Sequence, residues 1–283
     1  MRSREVHASC GNFCVRLMAD MDERHVLFTL DGRVGTVTLN RPDKLNAFAD
    51  EMRQELASVI SEATHDDRVR VLLITGAGRA FCSGADVGYL RDLVAAGDWK
   101  SARELVEVGS HVVSAIASLP KPVIAAVNGA AAGGGANLAL ACDLRLASDR
   151  ASIGQTFNRI GLHPDWGGTY FLPRLVGPAK ALELIFTGDM IDAQEALRLG
   201  LFNRVVPHER LMEETRELAE RLAAKPPIAL ALAKQAVHKS FDATLQAMLD
   251  LELDHQTRCF TSEDAKEGIS AFLEKRTPVF RGV

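Results

Sequence analysis

Residues 122–142 read PVIAAVNGAAAGGGANLALAC and contain neither a charged side chain nor a histidine. A segment of this length could cross a bilayer as a helix. However, Pro122 and the three consecutive glycines at 133–135 would make a poor lipid-facing helix. The apolar run at 123–127 is typical of a buried strand, and residues 136–142 have a helical composition. We therefore predict a strand, a glycine turn and a buried helix.

Strand and helix patterns alternate along the chain on both sides of this segment. Alternating apolar and polar residues around Asp31 and Gly32 predict a β-hairpin, and Asp50 is a candidate N-cap for the next helix. The predicted strands are 25–30, 34–39, 69–75, 123–127 and 144–147, with a long helix over 99–119. Beyond about Pro178 the pattern predicts helices at 179–186, 193–199, 209–223, 228–240, 243–260 and 263–274, interrupted only by a strand at 203–206. The predicted fold class is therefore α/β, with largely parallel strands and a helical C-terminal part.

Composition excludes several classes of protein. The 283 residues carry 33 Lys plus Arg against 37 Asp plus Glu, for a formal net charge of -4, and 47% of them are hydrophobic. This mixture excludes a disordered chain, and the mild acidity gives no electrostatic footprint for nucleic acid or an anionic membrane surface. We expect a disordered extension at 1–22, a core at 23–205 and a helical region at 206–283.

The cysteines favour a reducing compartment. Cys10, Cys14, Cys82, Cys142 and Cys259 are odd in number, and no second Cys or His pair completes a zinc site with the first two. The first twenty or so residues also lack the uninterrupted apolar core of a signal peptide. We therefore expect free thiols, a cytoplasmic location and no bound metal.

Three segments carry residues suited to chemistry. They are GRAFCSGAD at 78–86, the glycine turn at 128–137 and IGLHPDWGGT at 160–169. Small residues after a strand leave backbone N–H groups accessible, and a glycine run that opens a helix directs free N–H groups and the positive helix end to one point. Such a site binds an anion, phosphate among them, or a developing oxyanion, although no Lys follows the glycines as in a Walker A loop. A tight packing turn is the alternative that the residues leave open.

Four motifs resemble the enoyl-CoA hydratase/isomerase (crotonase) superfamily: LNRPDKLNA at 39–47, AFCSGADV at 80–87, KPVIAAVNG at 121–129 and GLHPDWGG at 161–168. The resemblance covers about residues 25–280. It implies a spiral of ββα units with a helical C-terminal trimerisation region, in homotrimers that often pair into hexamers. It also implies acyl-CoA thioester substrates and an enolate held in an oxyanion hole by the backbone N–H groups of Ala85 and Gly134. Coenzyme A would be part of the substrate, and no further cofactor is expected.

The resemblance also implies substrate contacts by position. These fall on Lys44, Asn46, Ala47, Ala85, Asp86, Val87, Gly134, Asn137 and Phe157, with the first three on the adenine side. Lys275 and Arg276 are candidates for pairing with the CoA phosphates, in this or a neighbouring subunit, and solvated surface charges are the alternative. Gly88 stands where many relatives have a Lys, so one phosphate contact would be missing. Residues 87–99 resemble a mobile lid that shapes acyl specificity.

Two positions depart from the hydratase pattern. Hydration of an enoyl thioester uses two glutamates around one water, and this chain has Asn137 and Phe157 at the aligned positions. Neither side chain can act as a general base. Asp165 is the carboxylate that remains, in a context that resembles the branch of 1,2-epoxyphenylacetyl-CoA isomerase and similar enoyl-CoA isomerases. In that branch the matching Asp moves a proton between carbons, so the resemblance favours an isomerase with Asp165 as its single acid and base.

Several alternatives stay open. Asp165 is also a candidate N-cap for a helix predicted from Trp166, and in 4-chlorobenzoyl-CoA dehalogenases the matching Asp is a nucleophile. An enoyl-CoA hydratase with an altered site and a non-catalytic acyl-CoA binding protein are the other two functions. If Phe157 forms a dry wall of the acyl pocket, it should raise the pKa of Asp165 and suit it to proton transfer. His163, two residues away, is a candidate to tune the same group.

Overall fold

The computed structural model describes residues 24–283. The predicted extension at 1–22, with Cys10 and Cys14, lies outside the described residues. The strands within this range are β1 (Val26–Asp31), β2 (Val34–Leu39), β3 (Val71–Gly76), β4 (Ala80–Cys82), β5 (Val123–Val127), β6 (Ala130–Ala132), β7 (Leu144–Ser148), β8 (Ser152–Gly154), β9 (Met190–Asp192) and β10 (Arg204–Val206). The α-helices are α1 (Asp50–His65), α2 (Val87–Ala96), α3 (Trp99–Ser118), α4 (Gly134–Ala141), α5 (Gly168–Val176), α6 (Pro178–Thr187), α7 (Ala193–Arg198), α8 (Leu211–Ala223), α9 (Pro227–Lys239), α10 (Leu245–Phe260) and α11 (Glu263–Glu274).

The strands form two sheets that the chain visits in turn. The larger sheet has the order β1-β2-β3-β5-β7-β10, and the smaller one has the order β4-β6-β8-β9. The pairs β1–β2 and β8–β9 are antiparallel, and the other pairs in the two sheets are parallel. The successive pairs β3–β4, β5–β6 and β7–β8 each place one strand in each sheet. This is the predicted spiral of repeated units, and the predicted α/β class is confirmed.

The charge-free segment forms the centre of this spiral. Strand β5 (Val123–Val127) is fully buried in the larger sheet, β6 (Ala130–Ala132) lies in the smaller one, and helix α4 (Gly134–Ala141) is buried at every position. Helix α4 needs no polar face because it is enclosed on all sides. The predicted strand, turn and buried helix are therefore confirmed. Among the described residues no helix is long and apolar enough to cross a membrane.

The structure corrects three local predictions. Asp50 is the first residue of α1, and the N-cap position belongs to Ala49, which has no side-chain acceptor to offer. The four strands of the smaller sheet, β4, β6, β8 and β9, were not predicted, because each has only three residues and carries too short a pattern. The helix predicted from Trp166 begins at Gly168 instead.

The C-terminal helices leave much of their apolar surface uncovered. Helix α10 (Leu245–Phe260) has no buried residue, and Leu245, Leu253 and Phe272 are 77%, 68% and 83% exposed. Helix α9 (Pro227–Lys239) is fixed to the core by Lys234, whose Nζ donates to Asp143 Oδ2 at 2.8 Å. The unit boundary at 205/206 and the oligomeric state stay predictions.

Candidate active site

A cavity of about 540 Å³ is lined by the helices α1, α2 and α3, by the loops that follow β4 and β6, and by the segment 156–166. Its lining residues are Phe48, Arg53, Ser83, Gly84, Ala85, Val87, Leu90, Leu93, Val94, Trp99, Ala102, Leu105, Val106, Gly133, Gly134, Thr156, Phe157, Arg159, Ile160, Leu162, His163, Asp165 and Trp166. Most of them are apolar, as is typical of small-molecule sites with a few polar groups that fix orientation. The three segments that the sequence singled out for chemistry all reach this one cavity.

Two backbone N–H groups belong to Ala85 and Gly134, which both line the cavity; we call them the donor pair. The loops that carry them adjoin, since a Cβ atom built on Gly84 would lie 3.5 Å from the Gly134 nitrogen. Gly134 is the first residue of α4, so its N–H has no acceptor inside that helix. Neither N–H group of the donor pair has an acceptor within residues 24–283. Both donors are therefore free to bind an oxygen atom, and the N-terminal end of α4 adds positive potential there.

The glycine turn before α4 is required by close packing. Gly133 has a φ of 52°, which favours glycine, and its N–H donates to the Gly154 carbonyl at 2.9 Å. A Cβ atom on Gly135 would collide with the backbone oxygen of Cys82 in β4. On the other loop, Phe48 N–H donates to the Gly84 carbonyl at 2.7 Å, which fixes the chain just before Ala85.

Asp165 is the only carboxylate among the described residues that line the cavity. It is half-buried, and its Oδ1 atom is enclosed without a hydrogen-bond partner in residues 24–283. Partial burial raises the pKa of Asp165 to about 6, while the positive charge of Arg53 acts in the opposite direction. This is the direction that the sequence predicted for a dry pocket. Phe157, the proposed dry wall, is 9% exposed and lines the same cavity.

The backbone of Asp165 is held by a buried amide network. Asn137 Nδ2 donates to the Asp165 carbonyl at 2.8 Å, and Gln155 Nε2 donates to Asn137 Oδ1 at 2.7 Å. The N-cap role considered for Asp165 is wrong, because α5 has Gly167 at its N-cap and begins at Gly168. The side chain of Asp165 is therefore not engaged in capping and faces the cavity.

The sequence analysis missed three residues of the cavity wall. Phe48 and Trp166 stack with ring centroids 4.3 Å apart, and Arg53 lies over Phe48 with its Cζ atom 5.9 Å from the ring centroid. Trp166 has a φ of 48°, and its ring packs where Gly109 of α3 has no side chain. The signal for Arg53 was present, because this charged residue shares a helix face with the apolar residues Leu56 and Ile60. Nothing local marks Phe48 and Trp166 as partners.

Two predicted substrate contacts do not reach the cavity. Asn46 is fully buried, and its amide donates to the carbonyls of Ala77 and Ala80 at 2.9 and 2.8 Å. Asn137 is fully buried behind Asp165. Both side chains thus hold the loops in place, and the structure gives them no surface for a ligand.

Of the remaining predicted contacts, four line the cavity and three are not among its lining residues. Val87, Ala85, Gly134 and Phe157 line it, whereas Lys44 is an exposed residue that ends a 3-10 turn (Pro42–Lys44). Ala47 is buried, and its carbonyl accepts from Arg41 Nη1. Asp86 accepts from Arg41 Nη2 at 3.2 Å and caps α2, so its carboxylate supports the loop that presents Ala85.

The predicted lid and the predicted phosphate contacts lie apart from one another. Helix α2 (Val87–Ala96) and Trp99 form the outer wall of the cavity, and Trp99 is 65% exposed at its entrance. Arg276 instead binds Glu267 at 2.6 and 2.9 Å, and neither Lys275 nor Arg276 lines the cavity of the described chain. A phosphate contact from these two residues stays a prediction.

Fold and site together define a class of protein. A two-sheet spiral presents two unpaired backbone donors and one carboxylate to a mostly apolar cavity, which is the arrangement expected of an enzyme that stabilises an oxyanion. The enoyl-CoA hydratase/isomerase family model matches residues 30–283, and the chain belongs to this family of the crotonase superfamily. Enzymes of the family act on acyl-CoA substrates.

Individual relatives divide between two activities. The chain is 43% identical to 1,2-epoxyphenylacetyl-CoA isomerase from Escherichia coli, over 91% of this chain and 98% of the relative. It is 38% identical to crotonyl-CoA hydratase from Syntrophomonas wolfei, over 92% and 99%. Among solved structures, an enoyl-CoA hydratase from Bacillus anthracis superposes with a TM-score of 0.87 at 38% identity, over 92% of this chain and 100% of that one. These similarities establish the family and its fold.

Proposed function

We propose that the protein is an acyl-CoA thioester isomerase that moves a proton between carbons through an enolate. The observation that carries the proposal is the presence of one carboxylate, Asp165, in the cavity that the donor pair also lines. A 1,3-proton shift needs one group that first takes a proton and then returns it. Coenzyme A would be part of the substrate, and the proposed step uses no further cofactor.

In the proposed reaction the thioester oxygen accepts hydrogen bonds from the N–H groups of Ala85 and Gly134. Ionised Asp165 removes a proton from the carbon next to the unsaturation, and the electron pair of that C–H bond delocalises onto the thioester oxygen. The resulting dienolate is stabilised by the donor pair, each member of which typically contributes ~100- to 1,000-fold in rate. Protonated Asp165 then returns the proton to the other end of the conjugated system, so that substrate and product are isomers.

The electrostatics of Asp165 suit both half-reactions. With a pKa of about 6, the carboxylate is ionised at neutral pH and is a stronger base than an ordinary aspartate. The nearby positive charge of Arg53 keeps that pKa from rising further. The rate should therefore fall as pH decreases below about 6, where Asp165 becomes protonated.

Hydration is less well supported by the same site. It requires that one water be both oriented and deprotonated, which in the family pattern takes two carboxylates. Asn137 is enclosed behind Asp165, and Phe157 offers no proton acceptor. The similarity to named hydratases keeps water addition as an outcome that must be measured.

Solvent deuterium exchange at the α carbon is the direct test, because it reports enolate formation whichever product follows. We expect exchange and double-bond migration with 3-enoyl thioesters, and a loss of about 100- to 10,000-fold in Asp165→Asn. Asp92→Asn is the matched control, since Asp92 is 66% exposed on α2 and pairs only with its neighbour Arg91. Water addition at a rate that Asp165→Asn leaves unchanged would refute the proposal, and tight acyl-CoA binding without exchange would favour a binding protein.

We also propose that the protein forms a homotrimer or a hexamer. The support is the exposed apolar surface of α10 and α11, where Leu245 and Phe272 are 77% and 83% exposed. Such patches are typical of interfaces between subunits. Sedimentation velocity should give a species of three or six chains, and a monomer at micromolar concentration would contradict the proposal.

A further inference from the structure

Arg53 is a buried cation that the proposed proton transfer leaves without a partner. It lies on α1 with a relative exposure of 1%, and it belongs to the lining of the cavity. Its Nε and Nη1 atoms are enclosed and form no hydrogen bond to any group of residues 24–283. A guanidinium keeps its charge in proteins and has five N–H donors, which are costly to remove from water without acceptors.

The groups packed around Arg53 do not supply the missing acceptor. The ring of Phe48 lies under the guanidinium, with 5.9 Å from Cζ to the ring centroid. Asp50 on the same helix, Tyr89 on α2 and Asp165 in the cavity lining act on Arg53 only through space. The cavity itself is the one direction from which an acceptor can approach. A ligand in the cavity would therefore meet the guanidinium on the same wall as Asp165; we call Arg53 and Asp165 the charged wall.

We propose that Arg53 binds an oxygen atom of the acyl group, so that the preferred substrate is an acyl-CoA thioester whose acyl part carries a neutral oxygen acceptor near its reacting carbons. The inference rests on the proposed function, because it assumes that the acyl group enters this cavity with its thioester on the donor pair. Epoxide, ether, ketone and hydroxyl oxygens all meet the requirement. A carboxylate does not, because Asp165 must be ionised to act as a base and would repel a second negative charge.

Arg53 could bind the acyl group or only support the fold and the charge of Asp165, and these two roles predict different effects of its loss. If Arg53 only tuned Asp165 or stabilised α1, its loss would change the reaction of every thioester by the same factor. If it binds an acyl oxygen, its loss should have a further effect on those substrates that carry one. A ratio between matched substrates therefore separates the two roles.

The experiment compares deuterium exchange of phenylacetyl-CoA and 1,2-epoxyphenylacetyl-CoA by the wild type, Arg53→Met and Arg53→Lys. We expect the wild type to favour the epoxide in kcat/KM by about 10- to 100-fold, the effect of one charge-assisted hydrogen bond. Arg53→Met is expected to change the exchange of both substrates through the pKa of Asp165, but it should lower kcat/KM for the epoxide by a further factor of about 10 to 100, which abolishes the preference. Arg53→Lys, which keeps the charge but not the planar fork, should retain part of it.

Three outcomes would overturn the inference. They are a wild type without preference for the epoxide, an equal loss on both substrates in Arg53→Met, and a preference for a ring carboxylate over the epoxide. Arg103→Met is the matched control, because Arg103 is 81% exposed on α3 and pairs only with Glu107. Thermal unfolding shows whether Arg53→Met stays folded at the assay temperature.

The two proposals can fail separately. If no thioester exchanges, the proposed function fails. The preference for an acyl group with an oxygen atom can still be measured as a difference in binding affinity. Calorimetric titration with phenylacetyl-CoA and with its 2-hydroxy derivative, whose oxygen is next to the reacting carbons, should then show the same preference in the wild type and its loss in Arg53→Met. Exchange that depends on Asp165 but shows no dependence on Arg53 would leave the isomerase intact and remove the oxygen site.

Discussion

The donor pair and the charged wall line the same cavity, but the first consists of backbone groups and the second of side chains. The donor pair consists of backbone N–H groups at Ala85 and Gly134, held by strand pairing and by a helix in which every residue is buried. The charged wall consists of two side chains, Arg53 and Asp165, with enclosed polar atoms that have no partner among the described residues. The position of the donor pair is set by the backbone, so a side-chain substitution does not remove its N–H groups. The charged wall consists of side chains outside the two sheets, so a substitution there removes the charge directly.

This difference has a consequence for specificity within the family. Stabilisation of a thioester oxyanion depends on backbone geometry, which relatives at 38–43% identity can share while their side chains differ. In the proposed function, the reaction and the acyl group depend on the side chains of the charged wall, where one substitution would add or remove a base. Relatives named as isomerases and as hydratases are therefore compatible with one scaffold.

The largest expected effect comes from a substitution at the glycine that follows Gly134, because it would displace the backbone that carries the donor pair. Gly135→Ala should lower the free energy of unfolding by about 1–3 kcal/mol or more and reduce turnover by ~100-fold or more, because its Cβ atom collides with backbone at Cys82. Gly134→Ala is the control one residue earlier, since there a Cβ atom would meet the rings of Phe48 and Trp166 at ordinary distances of 3.6 and 3.8 Å. Urea denaturation and turnover measure both variants. Equal behaviour of the two would show that backbone packing does not set the donor geometry.

A second test asks whether the ionised charged wall lowers the free energy of unfolding. The pKa of Asp165 is raised from 3.8 to about 6 in the folded protein, so its ionisation opposes folding. The stability associated with the protonated carboxyl is complete below pH 3.8 and is lost as pH rises through about 6. Asp165→Asn should therefore be more stable than the wild type by about 1–3 kcal/mol at pH 8 and nearly equal to it at pH 4.

The measurement is urea denaturation of both proteins at the two pH values. The control is Asp92→Asn, whose exposed side chain should leave the difference between pH 8 and pH 4 unchanged. A wild type that is the more stable protein at pH 8 would show that Asp165 has a favourable partner in the folded state. In that case the charged wall would be a stabilising feature.

The smallest expected effect concerns the residue that joins the two loops outside the cavity. Arg41 binds the Ala47 carbonyl and the Asp86 carboxylate, so it connects the 3-10 turn region to the loop that presents Ala85. Arg41→Met should lower kcat/KM by about 3- to 10-fold, the effect of one partly buried charge-assisted hydrogen bond. Arg68→Met, which removes an exposed pair with Asp66, should have no effect. A loss above about 100-fold would place Arg41 in direct contact with the substrate.

Much of the fold could be predicted because its signals are local. The segment at 122–142 predicted a buried strand, a turn and a buried helix, and the structure has them at Val123–Val127 and Gly134–Ala141. The late helices were placed within a few residues of their observed ends. The strand Met190–Asp192 was missed because it exists only through its pairing with Ser152–Gly154, which no pattern inside three residues reveals.

The sequence predicted which residues line the candidate site where their position in a motif was enough. It was less successful where the answer depends on whether a side chain is buried. Ala85, Gly134 and Asp165 were proposed by position, and they line one cavity. Asn46 and Asn137 were proposed on the same basis, but their side chains form buried hydrogen bonds within the fold. The sequence shows that an Asn is near the site, but it does not show whether its side chain binds a ligand or a neighbouring carbonyl group.

The sequence by itself determined the family, the alternation of strands and helices, and the absence of two glutamates at the hydratase positions. Only the tertiary structure decided that Phe48, Arg53 and Trp166 meet at the cavity wall and that Asp165 is partly enclosed there. The physical reason is that local pattern records which residues avoid water, whereas a pKa or an unpaired donor depends on atoms brought together from distant parts of the chain. The charge of Arg53 is visible in the sequence, but its lack of a partner is a property of the fold.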